Sequence, residues 1–104
     1  MKAKIYKNLP GDTLCKHAPP PLRGAVRLRR FEKEPGHFTL LVFPCQQQDR
    51  ISSGAVAHVL SRLAPGAKLV AFGGCFTLEA IALLKEQDAE IFTQSDFPWF
   101  DANL

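Results

Sequence analysis

The stretch that decides the fold is residues 68–93, which reads KLVAFGGCFTLEAIALLKEQDAEIFT. It opens with an apolar strand pattern that follows Lys68, and Gly73-Gly74 then signals a turn. A helical pattern begins after Thr77, and a second short apolar segment closes the unit. Strand, turn, helix and strand in this order form a βαβ unit, in which the two strands run parallel in one sheet. The stretch therefore predicts an α/β domain.

A second crossover is predicted upstream of this unit. Residues 37–44 are apolar at successive positions, which is typical of a central strand that is covered on both faces. Ser52 is placed to cap a helix that ends at Pro65-Gly66. The apolar stripe of this helix is formed by Ala55, Val56, Val59, Leu60 and Leu63. Because a helix turns about 100° per residue, we expect His58 to lie on the opposite, exposed side.

The N-terminal half supplies two further predicted strands. Residues 2–7 alternate, which places Ala3 and Ile5 on one face and Lys2, Lys4 and Tyr6 on the other. Residues 22–31 alternate as well, so we predict an antiparallel hairpin with the strand at 37–44. Residues 8–21 contain several prolines and are interpreted as an irregular loop.

The predicted fold is a single small α/β domain over residues 1–104. Its mixed sheet combines an N-terminal strand, an antiparallel hairpin and a β-α-β-α-β run with parallel strands and two crossover helices. Those two helices cover one face of the sheet, yet the strands are apolar on both faces. Three covers for the second face stay open: the proline-rich loop, the aromatic C-terminal tail of residues 94–104, or another copy of the chain.

The aromatic tail and the charge distribution both favour self-association. Phe97, Trp99 and Phe100 lie close together, and such residues are expected to pack on their own domain or across a subunit interface. Residues 1–50 carry ten Lys or Arg against four acids, a net +6, and residues 51–104 carry three against six, a net −3. We therefore expect a homodimer, although an anionic partner fits the same asymmetry.

Composition limits the other classes. There is no leader-like N-terminus and no apolar run long enough to span a membrane, which favours a cytoplasmic protein. The three cysteines have no disulfide or zinc spacing, so reduced thiols are expected. No cofactor motif and no set of metal ligands is evident, and we predict neither a cofactor nor a metal.

The predicted site lies at the carboxyl ends of the parallel strands, where open α/β sheets bind their ligands. Cys45 and Cys75 both fall there, and we expect their Cα atoms to be about 5 to 10 Å apart on adjacent strands. The predicted ligand-binding set is Cys45, Gln46, Gly73, Gly74, Cys75, Thr77, Ser95 and Asp96.

Three functions stay open for this chain. The first is a binding or interaction module with a small-molecule or anion pocket at the carboxyl edge. The second is a thiol-dependent enzyme that uses Cys75 or Cys45, because the N-terminus of a helix lowers a thiol pKa. The third is a nucleic-acid binder with a basic sheet face. That face would be formed by Lys2, Lys4, Tyr6, Arg27, Arg29 and Arg30.

Overall fold

The computed structural model describes residues 3–18, 23, 26–43, 50–64, 66 and 68–93. Within them lie four strands and four helices, which in chain order are β1 (Lys4–Pro10), α1 (Gly11–His17), α2 (Val26–Lys33), β2 (His37–Val42), α3 (Ser53–Leu60), β3 (Lys68–Phe72), α4 (Leu78–Glu86) and β4 (Glu90–Phe92). The sheet order is β1-β2-β3-β4, with β1 antiparallel to β2 and the other neighbours parallel. The predicted α/β domain with a mixed sheet and a parallel β-α-β-α-β run is confirmed.

The two crossover helices begin at the predicted caps. The Ala55 N–H donates to the Ser52 hydroxyl at 3.2 Å, and the Ala80 N–H donates to the Thr77 hydroxyl at 3.1 Å. Each bond satisfies a backbone donor that the first helical turn would otherwise leave free.

The predicted orientation of α3 is confirmed. Val56 and Val59 are buried and His58 is exposed, while Leu60 and Leu63 are half-buried and pack against the same core.

The predicted strand at residues 22–31 is wrong over residues 26–31, because the structure has helix α2 there. Leu28 and Phe31 are buried and three residues apart, which puts both on one face of a helix. The alternation that suggested a strand is only a few residues long, so it fits the two-residue period of a strand and the 3.6-residue period of a helix equally well. The antiparallel partner of β2 is therefore β1.

The predicted irregular loop at residues 8–21 is wrong where β1 ends and α1 follows. Pro10 precedes the first helical residue, a position at which the missing N–H of proline costs nothing. Gly11, Leu14, Cys15 and Ala18 are buried with helical spacing. A Cβ on Gly11 would lie 1.5 Å from the Phe31 carbonyl oxygen, so glycine lets α1 approach the backbone of α2.

Helices of the chain itself cover both faces of the sheet. On one face, Leu14 of α1 and Leu28 of α2 share a core with Phe72. On the other face, Val56 of α3 and Leu84 of α4 share a core with Ala71. The second face is therefore covered by α1 and α2, of which α1 lies inside the predicted proline-rich loop.

The edge strand β1 is irregular in its middle. Tyr6 pairs with Leu40 and Leu9 pairs with Phe38, so β1 carries one extra residue between the two pairs. Asn8, inside this bulge, has a φ of 57°. A left-handed residue at a bulge bends the strand and increases its twist.

None of the described helices has the length and apolar character that crossing a bilayer requires.

Candidate functional site

The carboxyl edge of β3 is filled by apolar side chains. Gly73 is buried, and a Cβ at this position would lie 2.5 Å from Ile51 Cδ1 and 2.7 Å from Phe76 Cζ. The side chains of Ile51 and Phe76 therefore fill the space beside Gly73, which leaves no room there for a ligand. Glycine is required at position 73 for packing.

Backbone hydrogen bonds tie down the turn that follows Gly73. The Ile51 N–H donates to the Cys75 carbonyl at 2.8 Å, and the Thr77 N–H donates to the Ile51 carbonyl at 3.0 Å. The Thr77 hydroxyl caps α4. These groups are therefore engaged within the protein.

Cys75 is exposed, unlike its neighbours in this turn. Its Sγ lies 4.0 Å from the Phe76 carbonyl, and among the described residues no side chain forms a hydrogen bond with it. Gly74 is half-buried beside it. Four other members of the predicted site, Cys45, Gln46, Ser95 and Asp96, lie outside the described residues, so the Cys45–Cys75 separation stays a prediction.

The basic residues predicted for nucleic acid do not share a sheet face. Arg27, Arg29 and Arg30 lie on α2 rather than on a strand, because residues 26–33 are helical. Lys4 and Tyr6 lie on β1, as predicted, and Lys2 is outside the described residues.

Two of these residues are engaged through their aromatic contacts. The Tyr6 ring stacks on His17 at 4.6 Å, and the Arg27 guanidinium lies 5.2 Å from the centre of the Phe92 ring. The placement of these residues on one sheet face is wrong because residues 26–33 are helical, while nucleic-acid binding by them stays a prediction.

A cleft of about 500 Å³ lies at the opposite edge, where the parallel strands begin. Its charged lining comes from α2, from the amino ends of β3 and β4, and from the end of α4. These residues are Arg30, Glu34, Lys68, Glu86, Asp88 and Glu90. Phe31, Phe38 and Val70 also line the cleft but are almost fully buried, so the surface offered to a ligand is mainly polar.

Arg30 is held between two carboxylates of this cleft. Its guanidinium contacts Glu34 at 2.9 Å and also forms an ion pair with Glu90, which joins α2 to β4. The hydrogen bond to Glu90 raises the pKa of the Arg30 guanidinium, so this group stays charged. The charge of Arg30 is therefore committed to internal partners.

Lys68 occupies a different part of the wall. It is the register partner of Phe38, and its Nζ lies 5.7 Å from the centre of the Phe38 ring. No described residue forms an ion pair with it. The aromatic ring supports the ammonium group without neutralising it.

The C-terminal turn of α4 forms another part of the cleft rim. The Asp88 N–H donates to the Lys85 carbonyl at 3.0 Å, and the Ala89 N–H donates to the Leu84 carbonyl at 3.1 Å. This is a Schellman motif, in which Asp88 adopts the left-handed conformation with a φ of 56°. The turn holds Glu86 and Asp88 beside the cleft, and neither forms an ion pair with a described residue.

This cleft is not among the sites predicted from the sequence. Glu86, Asp88 and Glu90 are three acids within five residues, next to the predicted start of a strand, and this cluster was the available signal. The contributions of Arg30 and Glu34 could not be seen while α2 was interpreted as a strand. The described residues contain no group of His, Cys, Asp and Glu that could hold a metal ion.

Comparison of the chain with protein-family models, curated proteins and solved structures gives no match. The function is therefore argued from the geometry.

Proposed function

We propose that the chain is a small cytosolic binding module that takes a small polar ligand in the cleft at the amino edge of the sheet. The observation that carries the proposal is the cleft itself. Its volume of about 500 Å³ is typical of small-molecule sites, and its lining includes charged groups that have no ion-pair partner among the described residues. At the carboxyl edge, the predicted ligand groups that can be placed are largely engaged in packing and capping.

The test is an NMR titration of the labelled protein with a library of small polar compounds. We expect binders to shift the backbone amides of Lys68, Leu69, Gln87 and Asp88. Lys68→Met should weaken this binding. Lys85→Met removes the same charge from a residue outside the cleft lining and should not weaken it. If binders instead shift the amides of Gly74, Cys75 and Thr77, the ligand site lies at the carboxyl edge and the proposal is wrong. A library without binders would also contradict the proposal.

Homodimer formation through Phe97, Trp99 and Phe100 is a separate proposal. These residues lie outside the described ones, and an uncovered sheet face no longer motivates the dimer because α1 and α2 cover it. Its support is the opposite charge of the two halves of the chain, together with Leu78, the one large hydrophobic side chain that is exposed among the described residues.

Sedimentation velocity over a range of protein concentrations tests the dimer. We expect the triple substitution of Phe97, Trp99 and Phe100 to Ser to give a monomer, and Leu78→Ser to weaken association. Ala57→Ser, at an exposed position of α3, is the matched control. A wild-type protein that sediments as a monomer at every concentration would contradict the dimer.

A further inference from the structure

The geometry points to a basic amino acid as the ligand of the amino-edge cleft, with its carboxylate on Lys68 and its cationic groups toward Glu86 and Asp88. This inference rests on the proposed function and names the chemical class of the ligand. It depends on charges of both signs that line one cleft and have no ion-pair partner among the described residues.

Lys68 is the group that would receive the carboxylate. The other cation of the cleft, Arg30, already contacts Glu34 and Glu90. The Lys68 Nζ is positioned over the Phe38 ring, and it lies 3.4 Å from where a Cβ on Gly36 would stand. That distance is an ordinary van der Waals contact, and glycine suits position 36 because its φ is 101°.

Glu86 and Asp88 would receive the cationic groups. Both stand at the C-terminus of α4, where the last carbonyl groups carry the negative end of the helix dipole. The two carboxylates and the helix end therefore act in the same direction, and an ammonium or guanidinium group is favoured beside them.

The balance of charge separates a basic amino acid from simpler ligands. The cleft is lined by four acids and two bases, a net −2. An anion without a cationic group would face the uncompensated acids of the rim, and a diamine would leave Lys68 unpaired. A basic amino acid has one carboxylate for Lys68 and two cationic groups for the acids, so it reduces the net negative charge of the cleft.

Three probes of similar length test the inference: L-lysine, cadaverine, which lacks the carboxylate, and 6-aminohexanoate, which lacks the α-amine. Binding is measured by NMR titration, read at the amides of Lys68 and Asp88. We expect L-lysine to bind at least about tenfold more tightly than either analogue, since loss of one charge-assisted contact costs on the order of 1.4 kcal/mol or more.

Substitutions assign each end of the ligand. Lys68→Met should weaken L-lysine about tenfold and leave cadaverine unchanged or bound more tightly, because cadaverine has no carboxylate to lose and would no longer share the cleft with a like charge. Glu86→Gln combined with Asp88→Asn should weaken both. Lys85→Met and Glu79→Gln, which change charges of α4 outside the cleft lining, are the matched controls and should change neither.

The outcomes separate this inference from the proposed function. If cadaverine binds as tightly as L-lysine, or if Lys68→Met weakens both probes equally, the amino-acid assignment is wrong. If other polar compounds bind the cleft and L-lysine does not, the assignment is again wrong but the proposed function stands. If no compound of any class shifts the cleft amides, both are wrong.

Discussion

The described segments at the two edges of the parallel strands differ in whether they fill the space beside the strands or leave it open. At the carboxyl edge, Ile51 returns as a bridge to Phe76 and, with it, fills the space beside Gly73. At the amino edge, the turn after α4 stays at the rim and leaves a cleft between itself and α2. Among the described residues, the open space beside charged groups therefore lies at the amino edge. We expect a ligand site where the segment that connects a helix to a strand leaves open space and supplies charged groups that have no ion-pair partner.

The strongest test of the packing at the carboxyl edge is to add one methyl group to Gly73. We expect Gly73→Ala to lower the free energy of unfolding by about 1 to 3 kcal/mol, because the added Cβ overlaps the buried side chains of Ile51 and Phe76. Urea unfolding measures the change.

Gly54→Ala is the control for this substitution. The nearest atom to a Cβ at position 54 is 3.8 Å away, so the change should be neutral or stabilising by up to about 1 kcal/mol. If both substitutions have the same effect, the carboxyl edge is not packed as described.

A smaller effect is expected at the cap of α4. Thr77→Ala should lower the free energy of unfolding by about 1 kcal/mol, because the Ala80 N–H loses its acceptor, and Thr77→Ser should restore most of it. Glu86→Gln, at the other end of the same helix, should stay within about 0.5 kcal/mol of wild type. A Glu86→Gln variant as unstable as Thr77→Ala would show that the rim of the cleft serves stability rather than binding.

The ion pairs of Arg30 should contribute less still. Its side chain is half exposed, and we expect Arg30→Met to cost no more than about 1 kcal/mol at low salt, with the loss shrinking as salt is added. Arg29→Met, an exposed position on the same helix, is the matched control. Urea unfolding at two salt concentrations measures both. A loss that does not depend on salt would point to packing of the Arg30 stem instead.

The thiols provide the smallest expected effect. Burial raises the pKa of Cys15, and Glu32 and Asp12 add to the shift. Above about pH 8.5 the unfolded chain releases this proton while the native protein keeps it, so stability should fall as the pH rises past that value.

Cys15→Ala should remove this part of the pH dependence, although the lost bond from the thiol to the Leu28 carbonyl will lower stability at every pH. Unfolding measured at pH 7 and at higher pH separates the two effects. In a Cys45→Ser background, a thiol reagent should label exposed Cys75 rapidly and Cys15 slowly. Equal labelling rates would contradict the packing of α1 on α2.

The parts of the fold that could be predicted have long, unambiguous patterns. Residues 68–93 and the stripe from Ala55 to Leu63 each repeat their period often enough to identify a strand or a helix. Helix α2 was missed because Val26-Arg27-Leu28-Arg29 alternates over four residues, too few to exclude the spacing of Leu28 and Phe31. Helix α1 was missed because Pro10-Gly11, which begins it, is also a turn signal.

The cleft could not be predicted for a related reason. It exists because α2 lies against the amino ends of β3 and β4, and Arg30 meets Glu90 across sixty positions of sequence. Once α2 is interpreted as a strand, these groups no longer approach each other. The acids at the end of α4 were visible in the sequence, but their partners were not.

The bulge in β1 affects how readily another extended chain could pair with this edge of the sheet. A free strand edge can template an incoming extended chain, and a long, flat edge does so most readily. In β1 the extra residue at Asn8 interrupts the regular spacing of backbone groups, Pro10 has no N–H to offer, and Lys4 and Lys7 add repulsion between copies. The opposite edge, β4, is only three residues long. Among the described residues, neither border of the sheet therefore presents a long, regular stretch of backbone for another chain to extend.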